Sequence, residues 1–382
     1  MALALSEDQQ LLRDSARNFC QDNAPISVMR RLRDEKSELG YDAKVWQQMI
    51  ELGWPGIAIA EKYGGFEFGF TGLGLILEET GRTLANSPLI ASVLLSASLL
   101  SEAGDEKQKS ELLPLIASGR LRLTVGVDEE PLHNPTHIAC TAIKEGSDYI
   151  LSGTKNFVLD GHIADKLIIV ARTSGKSQSE SGISLFLLEA DTQGLQIRRA
   201  IMVDGRNAAN LVLKQVRVPE EAMLGREGSG FKPLDAALDI ARIGVASEML
   251  GSLQEVFQRI VGYLKQREQF GVQIGAFQAL QHRAAEMYSE IELCKSAVLG
   301  ALQCLDDPSA TAKHRASMAS LAKAKLSEVF ERVSNEGIQM HGGIGMTDEF
   351  DIGFFLKRAR VAQQFLGDAS FHRDRYATLN DF

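Results

Sequence analysis

Between Leu121 and Val218 six runs rich in β-branched residues follow one another, at residues 121–127, 149–159, 166–173, 183–188, 195–202 and 210–218, each bounded by turn residues. No segment of helical periodicity separates them. Parallel neighbours need a crossover of about a dozen residues or more, usually a helix, so the block reads as an antiparallel sheet or barrel and not as a βαβ fold. The Ser- and Gly-rich stretch from Ser174 to Gly182 reads as an exposed hairpin loop within it.

Helical patterns flank this block on both sides. Ser6 followed by Gln9 is a capping-box pattern, and Leu11, Leu12, Ala16 and Phe19 recur at helical spacing after it. Residues 45–52 run into Gly53, and 73–83, 89–102 and 108–117 read as further helices. After Pro219 and the glycines Gly225, Gly228 and Gly230 the helical patterns return. Residues 236–265 alone make a helix of about 30 residues, roughly 45 Å long, enough to belong to a bundle. The expected organisation is α+β and multidomain: a helical N-terminal domain over 1–120, a β-domain over 121–230 and a C-terminal helical bundle over 231–382.

The chain has 382 residues, and its 41 basic against 50 acidic residues leave a net charge of −9. That balance argues against a nucleic-acid binder, while a local basic pocket for one small anionic ligand stays open. Cys20, Cys140, Cys294 and Cys304 are scattered without a CxxC pair, so neither zinc nor a disulfide framework is indicated and a reducing, cytoplasmic setting is expected. The start MALALSEDQQ meets Glu7 and Asp8 before an apolar run develops, unlike a signal peptide. The longest apolar stretch, 89–100, is interrupted by serines and too short to span a membrane.

In GYLKQREQFGVQIGAFQALQHRAAEM, residues 262–287, the residues Tyr263, Arg267, Phe270 and Phe277 do not share one amphipathic stripe. Phe270-Gly271 breaks the helix, and Ile274, Phe277 and Gln278 restart another. Such a corner, with an Arg and paired glutamines, can hold a polyanionic or planar ligand; it fits equally a packed corner with a solvated Arg. Asp239 and Arg242 stand three apart on one helical face, as a surface ion pair or as paired functional groups. The GlyGlyIleGly of residues 342–345 lacks the preceding strand that a Rossmann fingerprint needs. His341 beside it has no metal-ligand partner at ligand spacing, and no metal is expected.

The 262–287 string resembles the C-terminal signature of the acyl-CoA dehydrogenase family. QMHGGIGMTDEF, 339–350, is similar to the family's Gln…GlyGlyxGly turn before an acidic-aromatic pair. VDGRNAANLVLKQVRVPEEAMLGREGSGF, 203–231, resembles the bridge from the β-domain to the last helices, and YILSGTKNFVLDG, 149–161, the strand that approaches the flavin. EKYGGFEFG near Lys62 is similar to a family loop. The matches cover nearly the whole chain in the family's order. The resemblance implies the acyl-CoA dehydrogenase fold, with a helical N-terminal domain, a central antiparallel β-domain and a C-terminal four-helix bundle.

It also implies FAD. Arg267 and Phe270 of one subunit, with Gln339, Gly342 and Gly343 of a neighbour, would grip the ADP half, so a homo- or hetero-oligomer is expected. The glycines would let the backbone approach the pyrophosphate. Phe157, in place of a usual Trp, and Leu159, where a Thr is common, would face the flavin ring, with Asp368 and Ser370 also at the cofactor. Asp239 and Arg242 match positions on the substrate side, the Arg near the CoA-thioester channel. An acyl-CoA substrate and an electron-transfer flavoprotein or similar acceptor complete the set.

The family's reaction removes the α-proton of an acyl-CoA while the β-hydrogen leaves as hydride to flavin N5, and it needs a poised carboxylate as base. QQFLGDASFHR puts Leu366 at the usual Glu position, ahead of Gly367 and Asp368, and Ala241 stands at the alternative position on the long helix. Both are apolar. Losing a general base costs about 10²–10⁴ in rate, or about 3–5 kcal/mol of barrier. The usual Thr-Glu-Pro…Gly-Ser-Asp loop beside the flavin becomes VDEEPLHNPTHIAC, 127–140. Three readings follow. The chain is a dehydrogenase with an atypical base, Asp368 the nearest candidate although it sits about 200° around a helix from position 366; or a base-lacking subunit of a mixed assembly, as among steroid-side-chain members; or a flavin monooxygenase or oxidase on the same fold. The expectation is FAD-dependent α,β-dehydrogenation of a fatty-acyl or bulky steroid side-chain acyl-CoA, within a heteromeric enzyme.

Overall fold

The computed structural model describes residues 4–382. Ser6 and Gln9 close the capping box, each side chain bonded to the other's backbone N–H, and α1 (Glu7–Asn23) follows. The structure adds α2 (Ile26–Asp34), which the sequence hides because Arg30, Arg31 and Arg33 interrupt its short apolar face. Asp42 caps α3 (Ala43–Glu51), and α4 (Phe70–Arg82) comes next. The single helix expected over 89–102 is instead a π-helix, Leu89–Ala97, running into α5 (Ser98–Ala103). An Asp105–Gln108 capping box opens α6 (Glu106–Ala117).

The strands are β1 (Leu123–Gly126), β2 (Thr141–Glu145), β3 (Asp148–Leu159), β4 (Lys166–Arg172), β5 (Ile183–Glu189), β6 (Leu195–Ile201), β7 (Asn207–Pro219) and β8 (Met223–Leu224). Sequence patterning misses β2, where only Ala142 is buried, and the two-residue β8. Then come α7 (Phe231–Gln266), the hairpin β9 (Glu268–Gln269) and β10 (Val272–Gln273), and the helices α8 (Gln278–Asp306), α9 (Ala312–His341), α10 (Ile352–Gln364) and α11 (Ala369–Leu379). Among the described residues no helix is long and apolar enough to cross a membrane.

Two compact units cut across this linear order. The first takes the residues up to Glu35, Phe70–Asn86 and Arg242–Phe382; the second takes Lys36–Gly69 and Ser87–Ala241. The helices α1, α2 and α4 thus cluster with the C-terminal helices. Charge pairing is one cause: Arg17 of α1 makes two bonds, at 3.1 and 2.8 Å, to the buried Glu79 of α4. Arg30 of α2 pairs with Asp351 at 2.8 Å. Arg358 of α10 donates to Asn86 at 2.9 Å and meets Glu248 at 3.3 Å, both partners of this ion pair being buried. Close approach of α4 to α7 is another, made at Gly81 and Gly251, where a Cβ would stand 2.0 Å from the Glu248 carbonyl oxygen and 1.7 Å from that of Glu78.

In the second unit the sheet runs β6-β7-β3-β2-β4-β5-β8, with β1 beside β4. Most pairs are antiparallel, as expected, but β1 joins β4 in parallel, Leu123 opposite Lys166, and β2 meets β4 in parallel at Thr141 and Arg172. The sheet is thus antiparallel except where β4 meets β1 and β2. The crossover that parallel pairing requires is supplied by the loop after β1 and the β2–β3 hairpin. The strand β4 is buried from Leu167 to Ala171. Leu123, which opens β1, donates its N–H to Ser92 at 3.1 Å and accepts from Ser96 at 2.9 Å, so two hydroxyls of the π-helix satisfy it.

Candidate active site

Position 366 lies in a backbone corner between α10 and α11. Leu366 is buried and adopts φ 60°, and Gly367 adopts φ 105°. A side chain other than glycine is uncommon in the left-handed region. The Leu366 carbonyl accepts from Arg242 Nε at 3.3 Å and from His372 Nε2 at 3.1 Å. The Gly367 carbonyl accepts from Lys323 Nζ at 2.8 Å. Lys323 also donates to the Gln363 carbonyl at 3.1 Å and Ser327 Oγ at 3.3 Å, which matches the three donors of an ammonium. Burial first, then the neighbouring Arg242, lower its pKa from 10.5 to about 7, while Asp368 opposes them.

Arg242 is fully buried and Asp239 is 5% exposed, so the exposed ion pair that their spacing also allowed is excluded. The guanidinium of Arg242 lies 5.5 Å from the Phe371 ring centroid. Ala241 is buried. Asp368 is the N-cap of α11, its Oδ1 accepting from the Phe371 N–H at 2.8 Å, and Ser370 in the first turn of that helix is exposed. Asp368 is thus a helix cap by position, and its carboxylate belongs to the same corner as Leu366.

The residues expected at the ADP half all lie in the first unit, around the β9–β10 hairpin and at the end of α9. Phe270 and Gly271 form the tip of the β9–β10 hairpin, both at positive φ, and Phe270 is 92% exposed. Arg267 precedes the hairpin, its N–H bonded to the Tyr263 carbonyl at 2.8 Å. Tyr263 stacks on His341, ring centroids 4.4 Å apart, and His341 ends α9 directly before Gly342. The Tyr263–His341 stack thus joins the end of α7, one turn before Arg267, to the end of α9, one residue before Gly342. Gln339, Arg267 and both glycines are exposed, and a Cβ on either glycine would meet nothing within 4 Å. An open glycine turn suits close approach of a diphosphate, and the exposed guanidinium and aromatic ring at the hairpin suit a polyanionic or planar ligand. His341 is tied by Nδ1 to the Gly337 carbonyl at 2.7 Å, and its pKa is lowered by burial. Among the described residues no group of three or more His, Cys, Asp or Glu could hold a metal.

In the second unit β3 carries Phe157 and Leu159. A bulge between Lys155 and Val158 places Phe157 at φ 53°, 54% exposed, its N–H bonded to Asn210 Oδ1 at 3.2 Å. Leu159 is buried, and its carbonyl accepts from Thr124 Oγ1 at 2.7 Å. The loop 127–140 is fastened to this strand by a buried pair, Lys155 Nζ with Glu129 Oε1 at 2.6 Å, and Glu129 also accepts from the N–H groups of Ala139 and Cys140. Asp128 accepts from His133 Nδ1 at 2.9 Å. The sequence reading missed Lys323, His372 and Lys155. Lys323 had a signal: it lies on the stripe Ala316, Ala319, Ser320, Lys323, Leu326, Ser327 and Phe330, the buried face of α9. His372 and Lys155 had none, since their partners are set by tertiary packing.

Three family models match the chain: Acyl-CoA dehydrogenase, N-terminal domain, over residues 6–120; the middle domain over 129–216; and the C-terminal domain over 228–378. A probable acyl-CoA dehydrogenase of Bacillus subtilis (strain 168) is 31% identical over 379 residues, 98% of both chains. The structure is similar to that of butyryl-CoA dehydrogenase from Megasphaera elsdenii, with a TM-score of 0.89 and 29% identity over 100% of both chains. It is also similar to the Tcur3481-Tcur3483 steroid ACAD, with a TM-score of 0.87 and 31% identity over 98% of both.

Proposed function

The chain belongs to the acyl-CoA dehydrogenase family, and from that premise we propose that it serves FAD-linked α,β-dehydrogenation of a bulky acyl-CoA as one subunit of a heteromeric enzyme. The observation that carries this reading is the pair Leu366 and Ala241, both buried and apolar, at the two positions from which the family draws its base. A carboxylate supplied by a partner chain would then take the α-proton. The similarity to a steroid ACAD supports a bulky substrate. An electron-transfer flavoprotein or similar acceptor would take the electrons on. The four free, buried cysteines support a cytoplasmic setting, and domain boundaries near residues 120 and 230 follow the change from helices to strands and back.

FAD, when bound, supplies the hydride acceptor for the β-carbon. This chain's part is to hold and to orient. Arg267 and Phe270 of one subunit would clasp the ADP half together with Gln339, Gly342 and Gly343 of a neighbouring subunit. Phe157 and Leu159 would face the ring, and Ser370 would stand beside it. Arg242 and Asp239, buried and therefore poorly hydrated, would orient the thioester, where charge–dipole contacts are stronger than in water.

A second reading has the chain acting alone with Asp368 as base, favoured by the position of that carboxylate next to Leu366. The visible spectrum separates the two. The chain purified alone and then mixed anaerobically with a panel of acyl-CoAs should keep any flavin band unbleached, and co-expression with a Glu-bearing family subunit should restore bleaching. Bleaching of the isolated chain would overturn the heteromeric reading in favour of Asp368.

A further inference from the structure

We infer that Arg242, Lys323 and His372 are positioning residues that hold the Leu366–Gly367 corner in its left-handed backbone conformation and so fix where the side chain at position 366 points. The inference rests on the reading of position 366 as the family's base position. Its physical content does not.

Three buried donors from three helices, α7, α9 and α11, converge on two consecutive carbonyls. Leu366 O has both lone pairs in use, toward Arg242 at 3.3 Å and His372 at 3.1 Å, and Gly367 O takes Lys323 at 2.8 Å. A carbonyl only accepts, so Nε2 of His372 carries a proton. Its Nδ1 faces Ser320 Oγ at 3.4 Å, and Ser320 accepts from Arg375 Nη1 at 3.1 Å, which leaves the serine proton for His372. His372 is also packed against the corner, since a Cβ on Gly367 would come within 2.9 Å of its Nε2 and 2.5 Å of Phe371 Cδ1. At the end of α10 Lys323 takes the orphan Gln363 carbonyl; the bonds to Leu366 and Gly367 lie beyond the helix. Residues in sparsely populated backbone regions persist where their surroundings over-determine them, and they gather at functional sites.

The test uses the full chain in two arms. In the first, Leu366→Glu acts as a reporter, and flavin bleaching by octanoyl-CoA and by a steroid side-chain acyl-CoA is followed with His372→Leu, His372→Gln or Lys323→Met added. The expected result is a kcat lower by about tenfold to a hundredfold with His372→Leu or Lys323→Met, at nearly constant KM. Gln, which keeps a donor near the Nε2 position, should restore most of it. An unchanged kcat, or a loss that Gln does not rescue, overturns the inference. In the second arm, hydrogen exchange of the amides at 365–371 is compared in the natural chain, His372→Leu and His372→Gln. Faster exchange confined to this corner, reversed by Gln, is expected, and unchanged exchange overturns the inference. If Leu366→Glu bleaches with neither substrate while the exchange result holds, the functional reading of position 366 falls and the positioning of the corner stands.

Discussion

Gly251 of α7 lies so close to Glu78 of α4 that a Cβ on the glycine would stand 1.7 Å from the Glu78 carbonyl oxygen. The obstacle is backbone, which cannot swing aside as a side chain does. Gly251→Ala should therefore destabilise the protein by at least the 1–3 kcal/mol or so typical of overpacking. Gly262, on the same helix, has nothing within 4 Å of its Cβ position. Its replacement by Ala should instead stabilise by about 0.5–1 kcal/mol. Urea unfolding of the two variants reads both signs, and a Gly251→Ala variant as stable as the parent would refute the close crossing.

Asp368 offers a clean separation of cap from base. Asp368→Ala removes the bond to the Phe371 N–H and should cost about 1 kcal/mol, whereas Asp368→Asn keeps the cap and most of the stability. If the carboxylate also takes a proton, both variants lose turnover, since an amide cannot act as that base. Equal activity of the natural chain and Asp368→Asn excludes Asp368 from proton abstraction.

Lys323 makes stability depend on pH with a definite sign. Its folded pKa, near 7, lies below the ordinary 10.5, so between those values the unfolded chain binds more protons than the folded one. Stability then rises with pH through that window. Relative to Lys323→Met, the natural chain should gain melting temperature steadily from pH 7 to about pH 10. A constant difference across that range would show that the ammonium stays charged in the fold.

Arg267→Ala should strip FAD while leaving the helical content intact. Losing one charge-assisted bond of about 1.5–3 kcal/mol weakens binding by about ten- to a hundredfold. Flavin-to-protein absorbance ratios after gel filtration, with far-ultraviolet circular dichroism as the fold control, give the answer. Full flavin retention would remove Arg267 from the site.

The order of helices, strands and helices is legible in the sequence because burial periodicity is local, changing from 3.6 to 2 near residue 121 and back near 231. The capping residues Ser6 and Asp105 mark helix starts for the same local reason. The break after α7 is legible as well, since Phe270-Gly271 is a turn by its own chemistry. The parallel pairing of β1 with β4 is not, because strand order depends on contacts distant in sequence. Nor is the assignment of α1, α2 and α4 to one unit with the C-terminal helices, which rests on partners such as Glu79, Asp351 and Gly251. His372 is an unremarkable His until α11 brings it to position 366, whereas Lys323 is marked in the sequence by its place on the apolar stripe of α9.

Leu123 is bonded to a helix made earlier in synthesis than its sheet partner. Ser92 and Ser96 precede it by 31 and 27 positions, and Lys166, opposite it in β4, has yet to leave the ribosome when Leu123 emerges. Contacts that close shorter loops form with less entropic cost. The hydroxyl pair can thus seat the start of β1 while β4 is still being made, so that the helix acts as a template for the sheet. Replacing both serines by Ala should then slow refolding rather than hasten unfolding, giving a φ-value approaching about 1; a change confined to the unfolding rate would place the sheet first.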